Sequence, residues 1–261
     1  MTTAADLLGI GQAAMKVALD LIASRDPGRV TLKSDRDVAS EVDYAVENEL
    51  RTFLARETPD IGFLGEENGE TDDRETLWVL DPVDGTANFV RGVPLYAVSL
   101  ALVEDGQPVV GLISLPVIGL HYAAMQHGGA RCNGDLIRSR ATASLQDAMV
   151  SLGDYAVGES ATEKNVDRLA ITARLAERVE RVRMVGSAAT DLAWVADGKI
   201  DATVILANKP WDTAAGTLIA REAGALVVDR FGEQHSLEST STIALSPELF
   251  GDLIPLLAEQ P

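Results

Sequence analysis

Leu7, Ile10, Ala14, Val17 and Leu21 recur at helical spacing, so residues 5–24 read as an amphipathic helix ended by Asp26-Pro27-Gly28. Val42, Val46, Leu50 and Phe53 mark a second helix, opened by Ser40 and closed by Thr58-Pro59-Asp60. The apolar runs then shorten. Residues 61–64, 76–80, 97–103, 109–114 and 121–125 read as strands, with Glu104-Asp105-Gly106 and Pro116 as turn signals, which predicts a mainly antiparallel sheet. After residue 148 the rhythm changes. Strands at 149–152, 182–185, 202–206 and 225–229 alternate with helices at 162–179, 188–196 and 212–223, which predicts a second, parallel or mixed sheet. Two subdomains are expected, 1–145 and 146–261, packed face to face around a shared cleft. No internal repeat, low-complexity segment or linker interrupts them.

At 261 residues with 46% hydrophobic positions, the chain can bury an ample core. Its formal charge of −18 argues against nucleic-acid binding, which needs basic patches. It also looks awkward for anionic substrates, unless bound divalent cations reverse the local potential. Cys132 is the only cysteine, which excludes an intrachain disulfide and a cysteine-based zinc site. The N-terminus has no basic and apolar leader pattern, and no apolar run reaches membrane-spanning length. A soluble cytoplasmic protein without a membrane partner is the expectation.

The segment Trp78-Val79-Leu80-Asp81-Pro82-Val83-Asp84-Gly85-Thr86-Ala87-Asn88-Phe89 changes the picture most. An apolar strand runs into two carboxylates three residues apart, then a glycine and a threonine at an expected helix start. Oxygen ligands for a hard cation and free N–H groups for an anion sit side by side, as metal-assisted cleavage of a phosphate ester requires.

This segment resembles the D-P-[IV]-D-G-T-x-N-F signature of the inositol monophosphatase family. Gly65-Glu66-Glu67 resembles its G-E-E element, and Trp211-Asp212-Thr213-Ala214-Ala215-Gly216 its W-D-x-A-A-G element. Gly186-Ser187-Ala188-Ala189, Val195-Ala196-Asp197-Gly198 and Asp201-Ala202 resemble the stretch between them, so the match covers nearly the whole chain. The resemblance implies a five-layer α-β-α-β-α sandwich and a Mg²⁺-dependent phosphomonoesterase with two or three ions per site, usually a homodimer. It implies one ion on Glu66, Asp81 and the Val83 carbonyl, a second on Asp81, Asp84 and Asp212, and a weaker third near Glu66. Glu66 and Thr86 would orient the attacking water, supported by Asp43. Phosphate and substrate would meet Asp84, Gly85, Thr86, Gly186, Ala188 and Asp212, and Lys33 falls near a family lysine beside the phosphate. In inositol phosphatases a Glu seven positions before the W-D aspartate contacts sugar hydroxyls. Here that position is Ile205, which cannot accept a hydrogen bond, and Asn208 and Lys209 could supply other polar contacts. Inositol 1-phosphate is the first candidate substrate. Histidinol phosphate leads the alternatives, among other sugar or nucleotide phosphates, and a non-catalytic binding protein on the same fold is a remote one.

Plainer readings stand beside these. Ser40-Glu41-Val42-Asp43 fits a capping box, Thr86 a helix cap, and Asp212 a helix N-cap. Cys132 to Ser139 partly fits the C-x5-R-S pattern of cysteine phosphatases, but Arg131 stands where that pattern has histidine. His121, His127 and His235 show no metal-binding spacing.

Overall fold

Thr3 and Ser40 open the first two helices by the same device. Each side-chain oxygen accepts from a first-turn N–H, and an aspartate three residues on, Asp6 or Asp43, reaches back to the cap N–H. The computed structural model describes residues 3–34, 37–70 and 75–259. In it, α1 (Ala4–Ala23) and α2 (Glu41–Glu57) flank a hairpin of β1 (Val30–Ser34) and β2 (Asp37–Ser40). The Lys33 side chain lies outside the described residues.

The next eight strands are β3 (Gly62–Gly65), β4 (Gly69–Glu70), β5 (Thr76–Asp84), β6 (Ala97–Glu104), β7 (Gln107–Leu115), β8 (Leu120–Met125), β9 (Ala130–Cys132) and β10 (Asp135–Leu136). They form one sheet in the order β10-β9-β8-β7-β6-β5-β3-β4, antiparallel except between β3 and β5. A second sheet contains β11 (Met149–Leu152), β12 (Arg181–Arg183), β13 (Ala202–Ile205), β14 (Leu226–Val228) and β15 (Thr242–Leu245). Its order is β12-β11-β13-β15-β14; β11 is parallel to both neighbours, and β15 is antiparallel to both of its own. The remaining helices are α3 (Thr86–Val90), α4 (Ala161–Arg178), α5 (Ala188–Ala196), α6 (Pro210–Glu222) and α7 (Phe250–Ala258).

Strand alternation sorts the core into three layers of contact. Trp78, Leu80, Leu100, Leu102 and Leu112 pack on α1 and α2. Val79, Ala101, Val103, Ile113 and Leu115, from the opposite face, pack on α5 and α6, which also receive Ile205, Val227 and Ala244 of the small sheet. The other face of the small sheet, with Val150, Leu152 and Val204, packs on α4 and α7. The result is the expected α-β-α-β-α sandwich. Among the described residues no helix is long and apolar enough to cross a membrane.

Small residues set the spacing of the middle layer. A Cβ on Gly111 would lie 2.7 Å from the Ala215 carbonyl oxygen, and one on Gly216 would lie 2.6 Å from Leu192. The Ala-Ala-Gly run after Asp212 therefore lets α6 press against both the large sheet and α5. That contact fixes where α6 begins.

Three expectations need correction. The strand expected at 76–80 continues as β5 through Asp84. Helix α6 begins at Pro210 with Lys209 as its cap, so Asp212 is the third helical residue and not an N-cap. The β1–β2 hairpin, β15 and α7 go beyond the expected elements. The first two lack a long alternating run, and α7 contains Pro255.

Candidate active site

β5 delivers the two aspartates. Asp81 has the same parity as Val79, so its side chain faces the α5–α6 layer, where α6 begins. The β5–β6 pairing is irregular between Asp81 and Asp84, at Pro82, which lacks an N–H to pair. Glu66 follows β3, whose parallel register sets Gly65 beside Leu80; the Glu66 N–H donates to the Leu80 carbonyl at 3.2 Å. Glu66, Asp81, Asp84 and Asp212 consequently line one cleft of about 820 Å³. Val83, Gly85, Thr86, Gly186, Ala188, Ile205 and Lys209 line it too, whereas Asp43, behind Thr86, and Asn208 do not.

These carboxylates repel one another. Burial first, then Glu66, Asp84 and Asp212, push the Asp81 carboxyl well above its usual range. Burial, then Asp84, raises Asp212 to about 8. Burial raises Asp84 to only about 6, because Ser187 and Ala189 hydrogen-bond its charged form. Among the described residues, no three His, Cys, Asp or Glu side chains are already drawn together into a metal cage. An all-oxygen donor set under mutual repulsion nevertheless suits a hard divalent cation, which would draw it closer.

Thr86 is the first residue of α3, behind Gly85, whose φ of +92° favours glycine. A Cβ on Gly85 would also lie 3.0 Å from the Gly186 carbonyl oxygen. The Thr86 hydroxyl lies 3.1 Å from Asp43 Oδ1 and 3.0 Å from the Val83 carbonyl oxygen. Asp43 is fully buried and makes both contacts the sequence left as alternatives. Its Oδ2 accepts from the Ser40 N–H at 3.0 Å, while its Oδ1 faces Thr86.

The structure adds residues that had no assigned role. Asn88 Nδ2 donates to the carbonyls of Leu95 at 2.7 Å and Val185 at 2.8 Å, tying the Gly85–Thr86 turn to the segment before α5. Ser187 caps α5 and donates to Asp84 Oδ2 at 2.6 Å, and the Ala189 N–H donates to the same oxygen at 2.6 Å. Asp191 lies on the cleft wall, buried, and burial raises its carboxyl to about 8. Glu47 lies beneath the Glu66 loop. Its signal in the sequence was a second carboxylate four residues after Asp43, on the apolar face of α2. Asn208 does not line the cleft; its amide donates to the Ser239 carbonyl at 3.1 Å.

Cys132 sits on β9 and is not a lining residue of the cleft. Burial pushes its thiol up, the opposite of what a nucleophilic cysteine needs. Cys132→Ser is expected to keep full phosphatase turnover in steady-state assays; its inactivation would reinstate the cysteine mechanism.

Fold and site together are those of a phosphoric monoester hydrolase. The inositol monophosphatase family profile matches residues 4–260, and the chain belongs to that family of metal-dependent phosphatases. The inositol-1-monophosphatase of Mesorhizobium japonicum is 38% identical, covering 89% of this chain and 88% of its own. The fructose-1,6-bisphosphatase/inositol-1-monophosphatase of Thermotoga maritima is 32% identical, covering 86% and 84%. The structure of the extragenic suppressor protein suhB from Bartonella henselae superposes with a TM-score of 0.91 at 29% identity, covering 98% of this chain and 99% of that one.

Proposed function

We propose that this enzyme hydrolyses a small phosphate monoester with Mg²⁺, inositol 1-phosphate being the first candidate. The observation that carries the reading is the convergence of Glu66, Asp81, Asp84 and Asp212 on one cleft beside the Thr86–Asp43 pair. Residues 1–145 supply the first three carboxylates and 146–261 supply Asp212 and the opposite wall. Glu66, Asp81 and the Val83 carbonyl would hold one ion; Asp81, Asp84 and Asp212 would hold a second. When bound, Mg²⁺ would lower the pKa of the attacking water and offset charge on the phosphate and leaving oxygen.

The chain's own groups do the rest. The Thr86 hydroxyl donates its hydrogen bond to Asp43 or to the Val83 carbonyl, which leaves its oxygen to accept one from the attacking water. Glu66 would accept a hydrogen bond from the same water, orienting it toward phosphorus. The amides of the Gly85–Thr86 turn face the phosphate oxygens. Gly186 and Ala188 line the far side of the turn and bound the substrate.

Ile205 lines the cleft where a carboxylate would accept from a sugar hydroxyl, so inositol loses a partner there. A preference broader than inositol 1-phosphate follows. The opposite wall supports a second reading. Lys164, Arg168, Lys209 and Arg230 line the cleft of a chain whose net charge is −18. Arg168 donates to the Asp154 carbonyl and Arg230 pairs with Asp167, while among the described residues Lys164 Nζ has no such partner and can meet a second anionic group. The relative from Thermotoga maritima carries a bisphosphatase name as well. On α4, Val166 and Leu169 are exposed three residues apart, an apolar strip that a second copy of the chain would cover.

The test measures phosphate release from inositol 1-phosphate, fructose 1,6-bisphosphate and histidinol phosphate, with Mg²⁺ or with EDTA, for wild type and Ile205→Glu. Mg²⁺-dependent release is expected, with Mn²⁺ a partial substitute and Ca²⁺ and Li⁺ inhibitory. The Glu variant should gain kcat/KM on inositol 1-phosphate by about tenfold, the value of one hydrogen bond to a charged acceptor. Full activity in EDTA overturns the mechanism. A wild type that strongly prefers inositol 1-phosphate, with no gain in the Glu variant, overturns the account of Ile205.

A further inference from the structure

Glu47 is fully buried in α2 and points at the loop that follows β3. Its Oε2 accepts from the Glu67 N–H at 2.8 Å. Its Oε1 accepts from the Asn68 N–H at 3.0 Å and from Asn68 Nδ2 at 2.9 Å. Arg51, one helical turn on, donates to the same Oε1 at 2.9 Å and to the Gly69 carbonyl at 3.1 Å. Its guanidinium lies 4.5 Å from the Phe63 ring centroid, so strand β3 is gripped from the same side. A Cβ on Gly65 would lie 2.3 Å from the Glu47 carboxyl carbon, so only glycine leaves room for the carboxylate there.

A buried carboxylate is costly unless its charge is met by donors. Glu47 meets four, and three of them belong to the two residues after Glu66. The Glu66 N–H also donates to Leu80, and β3 pairs briefly with β4. The Glu66 carboxylate itself interacts with Asp81 across the cleft. The bonds to Glu47 hold the two residues that follow Glu66, so a charge outside the cleft bears on its direction from behind.

We propose that Glu47 is a positioning residue for Glu66: it clamps residues 65–69 so that the Glu66 carboxylate stays directed at the cation site, and it thereby sets cation affinity. This rests on the reading of Glu66 as a metal ligand. Outer partners that orient a ligand typically change metal affinity about 10–100-fold when lost.

Two substitutions attack the clamp from opposite sides. Glu47→Gln keeps the volume but turns an amino group toward N–H donors, leaving a loop amide without an acceptor. Gly65→Ala displaces the carboxylate itself. Leu54→Ala, two turns further along α2 in the apolar core, serves as a control for simple loss of stability. Amide hydrogen exchange at residues 66–69 is measured in the metal-free protein, and Mg²⁺ affinity by calorimetry, for these variants and for Glu66→Gln. Glu47→Gln and Gly65→Ala are each expected to speed exchange at Glu67 and Asn68 and to weaken Mg²⁺ binding about tenfold. Their double mutant should bind no more weakly than the worse single, since both break one contact. Leu54→Ala should lower the melting temperature and change neither readout. Unchanged exchange in Glu47→Gln overturns the clamp. Faster exchange with wild-type Mg²⁺ affinity, while Glu66→Gln loses affinity, overturns the positioning role. If Glu66→Gln keeps wild-type affinity, the reading of Glu66 as a ligand has failed and the positioning role falls with it.

Discussion

Asp212→Asn is expected to lower turnover at saturating Mg²⁺ by at least about 100-fold, on the scale of disrupting a metal's ligand shell, while raising the melting temperature of the metal-free protein at pH 8. Both effects come from one carboxylate. Without a cation, burial and Asp84 hold the Asp212 carboxyl at about 8, so keeping it ionised opposes folding. Asparagine removes that opposition, and a gain of about 5 °C is the expected order for a chain of this size. Asp84→Asn should lose as much turnover but gain less stability. Hydrogen bonds from Ser187 and Ala189 already favour its charged form and hold it at only about 6, so less opposition to folding is removed. Steady-state kinetics over a Mg²⁺ titration, with thermal melts in EDTA, checks both variants. Near-normal turnover in either would remove that residue from the site. A metal-free Asp212→Asn no more stable than wild type would mean the carboxylates are not under repulsion.

The metal-free protein should melt higher at pH 6.5 than at pH 8, and Mg²⁺ should narrow or reverse that order. Asp81, Asp84, Asp191 and Asp212 all have folded pKa values raised above the usual carboxylate range. A raised folded pKa gives stability that is complete below the unfolded pKa and is lost as pH climbs through the folded one. For Asp191 and Asp212 that loss extends to about 8. A cation binds the ionised carboxylates, so its stabilisation grows with pH over the same window. Below pH 6.5 a second group works against the trend. His235 is buried against Thr242, and burial lowers its imidazole to about 4, so the stability it confers when neutral fades as pH falls from 6.5 toward 4. Calorimetric melts from pH 5 to 9, with EDTA and with Mg²⁺, read both limbs. A metal-free melting temperature that rises steadily from pH 6.5 to 9 would contradict the repulsion.

The architecture was legible because its main elements carry unmixed periods. The helices at residues 4–23, 41–57 and 188–196, and the strands from 97 to 125, end close to where the turn residues place them. The continuation of β5 through Asp84 was not legible, since Pro82 reads as a strand stop until the irregular pairing with β6 is seen. The carboxylate ring was readable as ordered motifs whose residue types suit one chemistry. What lay behind it was not. Glu47 left only the trace of a carboxylate on an apolar helix face, and its partners at 67 and 68, like the Val185 partner of Asn88, are too far away in sequence to leave a local pattern. The alanines and glycine after Asp212 could be matched to a motif, but their reason, the close seating of α6 between the large sheet and α5, appears only in three dimensions.

Asp84 belongs to the large sheet, yet the groups that hold it belong to the first turn of α5, beside the small sheet. Asn88 crosses the same boundary to Val185. The seam between the two sheets therefore carries catalytic geometry. Loosening the junction between Asp84 and the first turn of α5 would free that carboxylate, while α6, seated on the large sheet, keeps Asp212 where it is. The geometry of the site thus depends on a junction between layers, and a change that spares both sheets can still undo it.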